Sequence, residues 1–330
     1  MVSELEGRIT SRLASLTKPP GSLGRLEELA LRVGLIQGTD MPTVGRKAML
    51  LFCADHGVVE EGVSPFPQEV TRQMVANFRA GGAAITVLCR QYGIEPVIVD
   101  MGVGNPTRNF AKERAMSRAE AQKAVETGRQ HAADGDLLGA GEMGIGNSTA
   151  AAALLCAFTG IGPGEAAGRG TGLDDAGVAR KADVIARALA LHRPDPTDAM
   201  GVLAALGGFE IAAIVGLILG AAQKRCVVVL DGFISCSAAL VVRAMDPSAL
   251  DYVVYSHRSA ELGHRKMLES LNARPLLDLG MRLGEGTGAA IGISLVESAV
   301  RLYREMATFA SAGVSTDVKT PPASQSGAAQ

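Results

Sequence analysis

The feature that most constrains the fold is an alternation, along the whole chain, of short apolar segments with longer alanine-rich ones. The short segments favour β-strands and the longer ones favour helices, which is the pattern of a parallel sheet with crossover helices. Several short segments are apolar at consecutive positions, as expected of strands covered on both faces. The predicted strands are KAMLLFCA (47–54), EPVIVDMGV (95–103), DLLGAGE (136–142), RCVVVLDGF (225–233) and YVVYSH (252–257).

The longer segments predict helices between these strands. One apolar segment, 199–222, nearly reaches the length of a membrane span, but Glu210 and the pair Gly207 and Gly208 lie at its centre. A charge and a Gly-Gly break favour two buried helical pieces over a membrane helix. The other predicted helices are 68–92, 117–134, 147–158, 174–191 and 235–244.

The domain organisation follows from where the strands stop. Residues 41–288 are predicted to form a three-layer α/β/α Rossmann-like domain with a parallel sheet. Residues 1–40 and 289–314 contain helical patterns without a strand and are predicted to pack together as a small helical domain. The final residues 315–330 are polar and rich in Pro, Ser and Gly, which predicts a disordered tail.

Charge and cysteine usage narrow the class of ligand. The formal net charge is −2, and the basic residues are interspersed among acidic ones, so the chain presents no strong field for nucleic acid or an anionic membrane. A small-molecule ligand is therefore expected. The five cysteines form no C-x-x-C pair, and the N-terminus has no apolar signal segment, so the sequence predicts buried thiols in a cytoplasmic protein.

Polar residues follow the predicted strands, where ligands of open parallel sheets bind. Asp55 and His56 follow the first strand, Asp231 ends the fourth, and Ser256 and His257 end the fifth. For Asp55 and His56 a structural Asp-His hydrogen bond is favoured over a metal site, because no second ligand stands at matching spacing. His257 is predicted to line a site.

A glycine pattern at the third strand raises a question about nucleotide binding. Gly139, Gly141 and Gly144 spell G-x-G-x-x-G before a helix-like segment, and such a turn suits a phosphate. A dinucleotide site also requires an acid about 20 residues further on, at the end of a second strand. Glu165 lies near that distance but no strand leads to it. A mononucleotide phosphate is favoured, with a dinucleotide site and a ligand-free turn left open.

A second glycine turn places Glu285 between Gly284 and Gly286, just before the C-terminal helix. Apolar neighbours are expected to raise the pKa of this carboxylate, which would suit a general base. The alternative is an acid that only complements the helix dipole. Lys181, on a predicted helix after a glycine-rich loop, is a candidate for binding phosphate, although solvent exposure is the default for a helical lysine.

Seven segments together resemble the nicotinate-nucleotide:dimethylbenzimidazole phosphoribosyltransferase (CobT) family, which assembles the lower loop of cobalamin. They extend from about Thr17 to Gly313, and their combination is highly specific. In order they are KPPGSLGRLEELA, CADHGVVEEGV, GEMGIGNSTAAAAL, ALGGFEIAAIVGLILGAA, VVLDGFISCSAAL, SHRSAELGHRKML and LGMRLGEGTGAA.

This resemblance implies transfer of the 5-phosphoribosyl group of nicotinate mononucleotide to 5,6-dimethylbenzimidazole, with inversion from β to α at the anomeric carbon. Glu285, in the R-L-G-E-G motif, is implied as the proton acceptor. No cofactor or metal is implied, because nicotinate leaves from a cationic pyridinium. The implied phosphate and ribose contacts are Glu142, Gly144, Ile145, Gly146, Asn147, Lys181, Gly284 and Gly286.

The remaining implied contacts concern the acceptor base and the assembly. Phe66, Met74 and Leu283 are expected to form the acceptor pocket, which leaves open whether benzimidazole, adenine or a phenol is preferred. Asp55, His56, Asp231, Ser256 and His257 are expected to support the site, and a homodimer is implied. Three rival hypotheses remain: an NAD-dependent oxidoreductase, a non-catalytic nucleotide-binding protein and a phosphoribosyl-diphosphate transferase.

Overall fold

The computed structural model describes residues 2–170 and 172–315. Within them, a single five-stranded sheet has the order β2-β1-β3-β4-β5, and each neighbouring pair is parallel. The predicted fold class is therefore confirmed. The strands are β1 (Lys47–Cys53), β2 (Glu95–Asp100), β3 (Leu137–Met143), β4 (Val227–Leu230) and β5 (Val253–Tyr255).

Helices connect and flank the strands. In the described part of the chain they are α1 (Val2–Ser15), α2 (Arg25–Gln37), α3 (Glu69–Ala80), α4 (Ala84–Tyr92), α5 (Arg118–Gln130), α6 (Asn147–Thr159), α7 (Pro163–Ala166), α8 (Asp175–His192), α9 (Ala199–Leu206), α10 (Phe209–Lys224), α11 (Phe233–Met245), α12 (Leu262–Ser270), α13 (Thr287–Glu305) and α14 (Phe309–Ala312). Short 3₁₀ segments cover Gly57–Glu61, His131–Ala133 and Pro247–Tyr252.

Strand β1 shows why consecutive apolar residues were needed. Its alternate residues Leu50 and Phe52 face an apolar cluster formed with α5, α6 and α8–α12. Met49 and Leu51 face a second cluster formed with α1–α4 and α13. Because side chains alternate between the two faces of a strand, both faces of the sheet are covered and the molecule has three layers.

Two predictions about helices have different outcomes. The segment 199–222 forms two buried helices, α9 and α10, separated at Gly207 and Gly208, as predicted. The single helix predicted over 68–92 is wrong, because α3 and α4 are separate. Gly81 ends α3 with φ of 77°, a left-handed conformation that stops the helix.

The termini bear on the predicted domain division. Helices α1, α2 and α13 share one apolar cluster, but Met49 and Val229 of the sheet belong to the same cluster. The separate small domain therefore stays a prediction. The predicted disordered tail falls, from residue 316 onward, outside the described residues. Among the described helices, none has the length and apolar character required to cross a membrane.

Candidate active site

A cavity of about 350 Å³ lies beyond the carboxyl ends of β3, β4 and β5. This size is within the range of small-molecule sites, and the position is where ligands of open parallel sheets bind. It brings together these residues predicted from the sequence: Phe66, Met74, Glu142, Gly144, Ile145, Gly146, Asn147, Lys181, Asp231, His257, Leu283, Gly284 and Glu285.

The first turn of the site joins β3 to α6. Gly146 is in the left-handed region with φ of 95°, and a Cβ atom there would lie 2.8 Å from Val59 Cγ2, so glycine is required by both conformation and space. The N–H of Ile145 donates to Thr71 Oγ1 at 3.1 Å, and the amide of Asn147 donates to the carboxylate of Glu142. The turn thus presents the start of α6 to the cavity.

Lys181 brings a positive charge to the same end of the cavity. It lies on α8 and is only 1% exposed, contrary to the default expectation of solvent exposure. Its Nζ donates to Ser148 Oγ at 3.0 Å and to the carbonyl of Gly168 at 3.2 Å. Burial lowers the pKa of Lys181 to about 8, and the charge of Glu261 opposes this shift. A bound phosphate would stabilise the charged form.

The second turn joins the loop after Met281 to α13. Gly284, Glu285 and Gly286 are all left-handed, with φ of 83°, 63° and 92°. The turn packs directly on β3, where a Cβ at Gly141 would lie 2.6 Å from the carbonyl oxygen of Glu285. Because β3 has no side chain at Gly141, the backbone of Glu285 can lie directly on the strand. Glu285 thus reaches the cavity from the layer of α13, on the other face of the sheet from α6.

Gly139 and Gly141 therefore allow α13 and the second turn to pack closely on β3, rather than forming a turn that binds a dinucleotide. Both lie inside β3, and a Cβ at Gly139 would come 3.0 Å from Ile293 of α13. Glu165, the acid that a dinucleotide site would need, is exposed on the one-turn helix α7, with no strand leading to it. The dinucleotide hypothesis is not supported.

Glu285 has the properties of a general base. It is 7% exposed, and its Oε2 atom is buried with no hydrogen-bond partner among the described residues. Burial, with the negative charge of Asp231 adding to it, raises the pKa of Glu285 to about 7. A carboxylate that titrates near neutrality is matched to proton transfer at physiological pH.

Glu142 is a second titratable carboxyl group in the site. Burial, followed by the charges of Asp231 and Glu210, raises the pKa of Glu142 to about 8. Its Oε1 lies 2.7 Å from where a Cβ at Gly284 would stand, so it occupies the gap between the two turns. A raised pKa favours the protonated form, which can donate a hydrogen bond.

The wall between the turns is apolar. Phe66 and Leu283 are 46% and 58% exposed and face the cavity. They line the cavity together with Met74, and their role as an acceptor pocket stays a prediction. Flat, partly exposed apolar surfaces on a cavity wall suit a planar aromatic ligand. The same wall includes Val63, Val70, Met143 and Ile234.

Three of the predicted supporting residues do not line the cavity: Asp55, His56 and Ser256. Asp55 accepts a hydrogen bond from the N–H of Gly104 at 2.6 Å, and Ser256 donates to the carbonyl of Asp231 at 2.8 Å. The predicted bond between Asp55 and His56 is wrong, because His56 Nε2 instead pairs with Glu210 Oε1 at 2.7 Å.

Glu210 is a buried residue behind the first turn whose pairing with His56 was not predicted from the sequence. Glu210 and His56 are both fully buried, and a Cβ at Gly144 would lie 3.3 Å from the His56 ring. The pair therefore packs against the first turn. A signal was available: Glu210 is the only charged residue within 199–222. A charge in such an apolar segment requires a buried partner. Other lining residues not predicted are Ser64, Ser148, Gly170, Gly232, Phe233, Ser259, Glu261 and Arg282.

Comparison with known proteins places these features in a family. A family model described as "Phosphoribosyltransferase" matches residues 1–314. The nicotinate-nucleotide--dimethylbenzimidazole phosphoribosyltransferase of Chloroflexus aggregans is 51% identical over 320 residues, with 91% of each chain covered. That of Geobacter metallireducens is 50% identical over 330 residues, with 94% of each covered.

A solved structure agrees with the sequence relatives. The crystal structure of CobT from Thermus thermophilus superposes with a TM-score of 0.90 at 44% identity, covering 95% of this chain and 100% of that one. The resemblance seen in the seven sequence segments is therefore confirmed. This chain belongs to the nicotinate-nucleotide--dimethylbenzimidazole phosphoribosyltransferase family.

Proposed function

We propose that this chain transfers the 5-phosphoribosyl group of nicotinate mononucleotide to a ring nitrogen of 5,6-dimethylbenzimidazole, giving nicotinate and α-ribazole 5′-phosphate. The observation that carries the proposal is that one cavity holds both a candidate base and a candidate phosphate site. The base is Glu285, a buried carboxyl group with a pKa raised to about 7, and the phosphate site is the start of α6 with the buried Lys181. The names of relatives that are 51% and 50% identical support the same reaction.

The phosphate of the donor binds at the first turn. N–H groups at the start of a helix carry partial positive charge and suit an anion. Gly144, Ile145 and Gly146 form this turn, and the Nζ atom of Lys181 lies beside it on Ser148 Oγ. The ribose then extends toward Asn147 and Glu142, whose side chains are hydrogen-bonded to each other, and toward Gly284, against which Glu142 lies. Gly286, the other predicted ribose contact, does not line the cavity.

The acceptor base binds against the apolar wall. A dimethylbenzimidazole ring between Phe66, Met74 and Leu283 would place its edge near Glu285, the carboxylate of the second turn. Holding two flat rings and one ribose in line removes much of the entropic barrier, an effect worth roughly 7 to 11 kcal/mol in well-oriented intramolecular reactions.

The chemistry needs one proton acceptor. The bond between the anomeric carbon and the pyridinium nitrogen breaks, and its electron pair neutralises the leaving nicotinate ring. A lone pair on one benzimidazole nitrogen forms the new bond on the opposite face, which inverts the anomeric configuration. The N–H proton of the other ring nitrogen passes to Glu285, whose pKa of about 7 lets it accept the proton and release it again.

Product analysis tests this function. The protein is incubated with nicotinate mononucleotide and dimethylbenzimidazole, and nicotinate and the riboside phosphate are quantified by chromatography, with the anomer assigned from the ribose H1′ signal in NMR. We expect equal amounts of nicotinate and the α-anomer, and no nicotinate release without the acceptor. Binding of the mononucleotide without turnover on any azole would instead support the non-catalytic binding protein.

Three further proposals concern the assembly, the compartment and the class of ligand. The chain is proposed to act as a homodimer and in the cytoplasm, on small molecules rather than on nucleic acid or membranes. Light scattering coupled to size exclusion tests the first, with a mass near twice the 34.0 kDa of the chain expected. A monomeric mass would contradict it.

A further inference from the structure

Asp231 makes an unusual set of contacts for a residue that follows a strand. Its carboxylate is 1% exposed and accepts three backbone hydrogen bonds from the second turn and the start of α13. Oδ2 accepts from the N–H of Gly286 at 3.0 Å, while Oδ1 accepts from Gly288 at 2.6 Å and from Ala289 at 3.1 Å. Both oxygens of one carboxylate therefore hold the backbone that follows Glu285.

The backbone at this point needs such an anchor. Glu285 is not glycine, yet it has φ of 63° between two glycines that are also left-handed. A side chain in this region is disfavoured and persists only when its surroundings fix it. The hydroxyl of Thr287 helps by donating to the carbonyl of Gly284 at 2.9 Å. Asp231 fixes the other half of the turn.

Asp231 also sets the charge around Glu285. Burial raises the pKa of Asp231, whereas the charge of His257 and the three N–H donors at the start of α13 act against this shift by stabilising the anionic form. The charged or titratable groups that face Asp231 from the packed elements are His257 after β5, at 3.7 Å from Oδ1, Glu142 of β3 and Cys236 of α11. The charge of Asp231 acts on Glu285 in the direction that burial does.

We propose that Asp231 is the positioning residue of the general base: its carboxylate holds the Gly284–Gly286 turn in the left-handed conformation and keeps a negative charge beside Glu285. This inference deepens the proposed function and rests on it. Asparagine would keep one acceptor oxygen but would turn an NH₂ group toward the N–H of Gly286 or those of Gly288 and Ala289, and would remove the charge. Glutamate would keep the charge and displace the oxygens.

The test uses this difference between the two variants. We would measure kcat, KM for nicotinate mononucleotide and the pH profile of kcat/KM for wild type, Asp231→Asn and Asp231→Glu. Asp231→Asn is expected to lower kcat about 10- to 100-fold, to change KM less than about threefold, and to move the acid limb to lower pH. Asp231→Glu is expected to lower kcat with the acid limb kept near its wild-type position.

Asp198→Asn is the matched control. Asp198 caps α9 by accepting from the N–H of Gly201 at 3.1 Å, outside the cavity, and its variant should keep the wild-type profile. An Asp231→Asn protein that binds the mononucleotide but keeps the wild-type kcat or the wild-type acid limb overturns the inference. If Asp231→Asn does not fold, Asp231→Glu decides, since wild-type kcat there would equally overturn it. Absence of turnover in the wild type would instead refute the proposed function.

Discussion

Two glycine turns face the same cavity from opposite sides of the sheet. The turn at Gly144–Gly146 begins α6, whose cap has no side-chain hydrogen bond and whose first turn carries no acidic residue. The turn at Gly284–Gly286 begins α13, whose first N–H groups are already bound by the carboxylate of Asp231. The two helix starts therefore differ in whether a carboxylate of the protein accepts hydrogen bonds from their N–H groups.

This difference separates binding from chemistry. A helix start without an acidic side chain at its first turn, next to Lys181, is suited to a ligand anion, since both present positive charge to the cavity. A helix start that already binds the carboxylate of Asp231 lacks this capacity, but these hydrogen bonds fix the turn that carries the proposed general base. Changes at the first turn should therefore act on donor binding, whereas changes at the second should act on turnover.

The largest effect is expected from Glu285→Gln. The amide cannot accept the benzimidazole proton, so kcat should fall about 10²- to 10⁴-fold while the affinity for nicotinate mononucleotide stays within about threefold. Steady-state kinetics and calorimetric titration measure the two quantities. Glu165→Gln, on the exposed face of α7, is the control and should behave as wild type. Full activity of Glu285→Gln would remove the second turn from the chemistry.

The pH dependence of kcat/KM should report on titratable groups at both turns. Glu285 must be ionised to accept a proton, so kcat/KM should fall about tenfold per pH unit below its pKa of about 7. Above about 8, Lys181 loses its charge and Glu142 gains one, and both changes weaken binding of a phosphate ester. A profile that is flat from pH 5 to 7 would contradict the assignment of Glu285.

Lys181→Met tests the first turn directly. Loss of one charge-assisted contact, worth about 1.5 to 3 kcal/mol, should raise KM for nicotinate mononucleotide roughly 10- to 100-fold with a smaller change in kcat. Folding should tolerate the change, because it replaces a buried charge with an apolar side chain. Lys266→Met, on the exposed side of α12, is the control. An effect confined to kcat would contradict the division between the turns.

The same two turns show what a sequence can and cannot predict. Glu285, Lys181 and the glycines were accessible because each lies in a short local pattern. The hydrogen bonds of Asp231 join residues 55 to 58 positions apart, and nothing local indicates them. The strands and their layers were predictable from apolar patterns, but the break between α3 and α4 at Gly81 was not recognised.

Gly146→Ala, set against Gly160→Ala, separates the cost of a left-handed backbone from the cost of a steric clash. The substitution places an alanine at φ of 95°, which costs about 1 to 2 kcal/mol, and puts its Cβ 2.8 Å from Val59. Gly160→Ala, at the other end of α6, has φ of 76° with open space around it and isolates the conformational cost. Thermal unfolding should show both proteins destabilised, but only Gly146→Ala should weaken binding of nicotinate mononucleotide, by about tenfold. Equal binding by both variants would mean that the shape of the first turn is unimportant.

The smallest and most discriminating effects are expected from two hydroxyl groups. Ser148→Ala removes the acceptor of the Lys181 Nζ bond, and Thr287→Val removes the donor to the Gly284 carbonyl. Each loses one hydrogen bond worth about 1 kcal/mol, so each should change a kinetic constant by about two- to fivefold. Because the two bonds hold different turns, Ser148→Ala should raise KM for nicotinate mononucleotide at constant kcat, and Thr287→Val should lower kcat at constant KM. If both variants altered the same constant, the turns would act as one unit, and the separation of binding from proton transfer would fail.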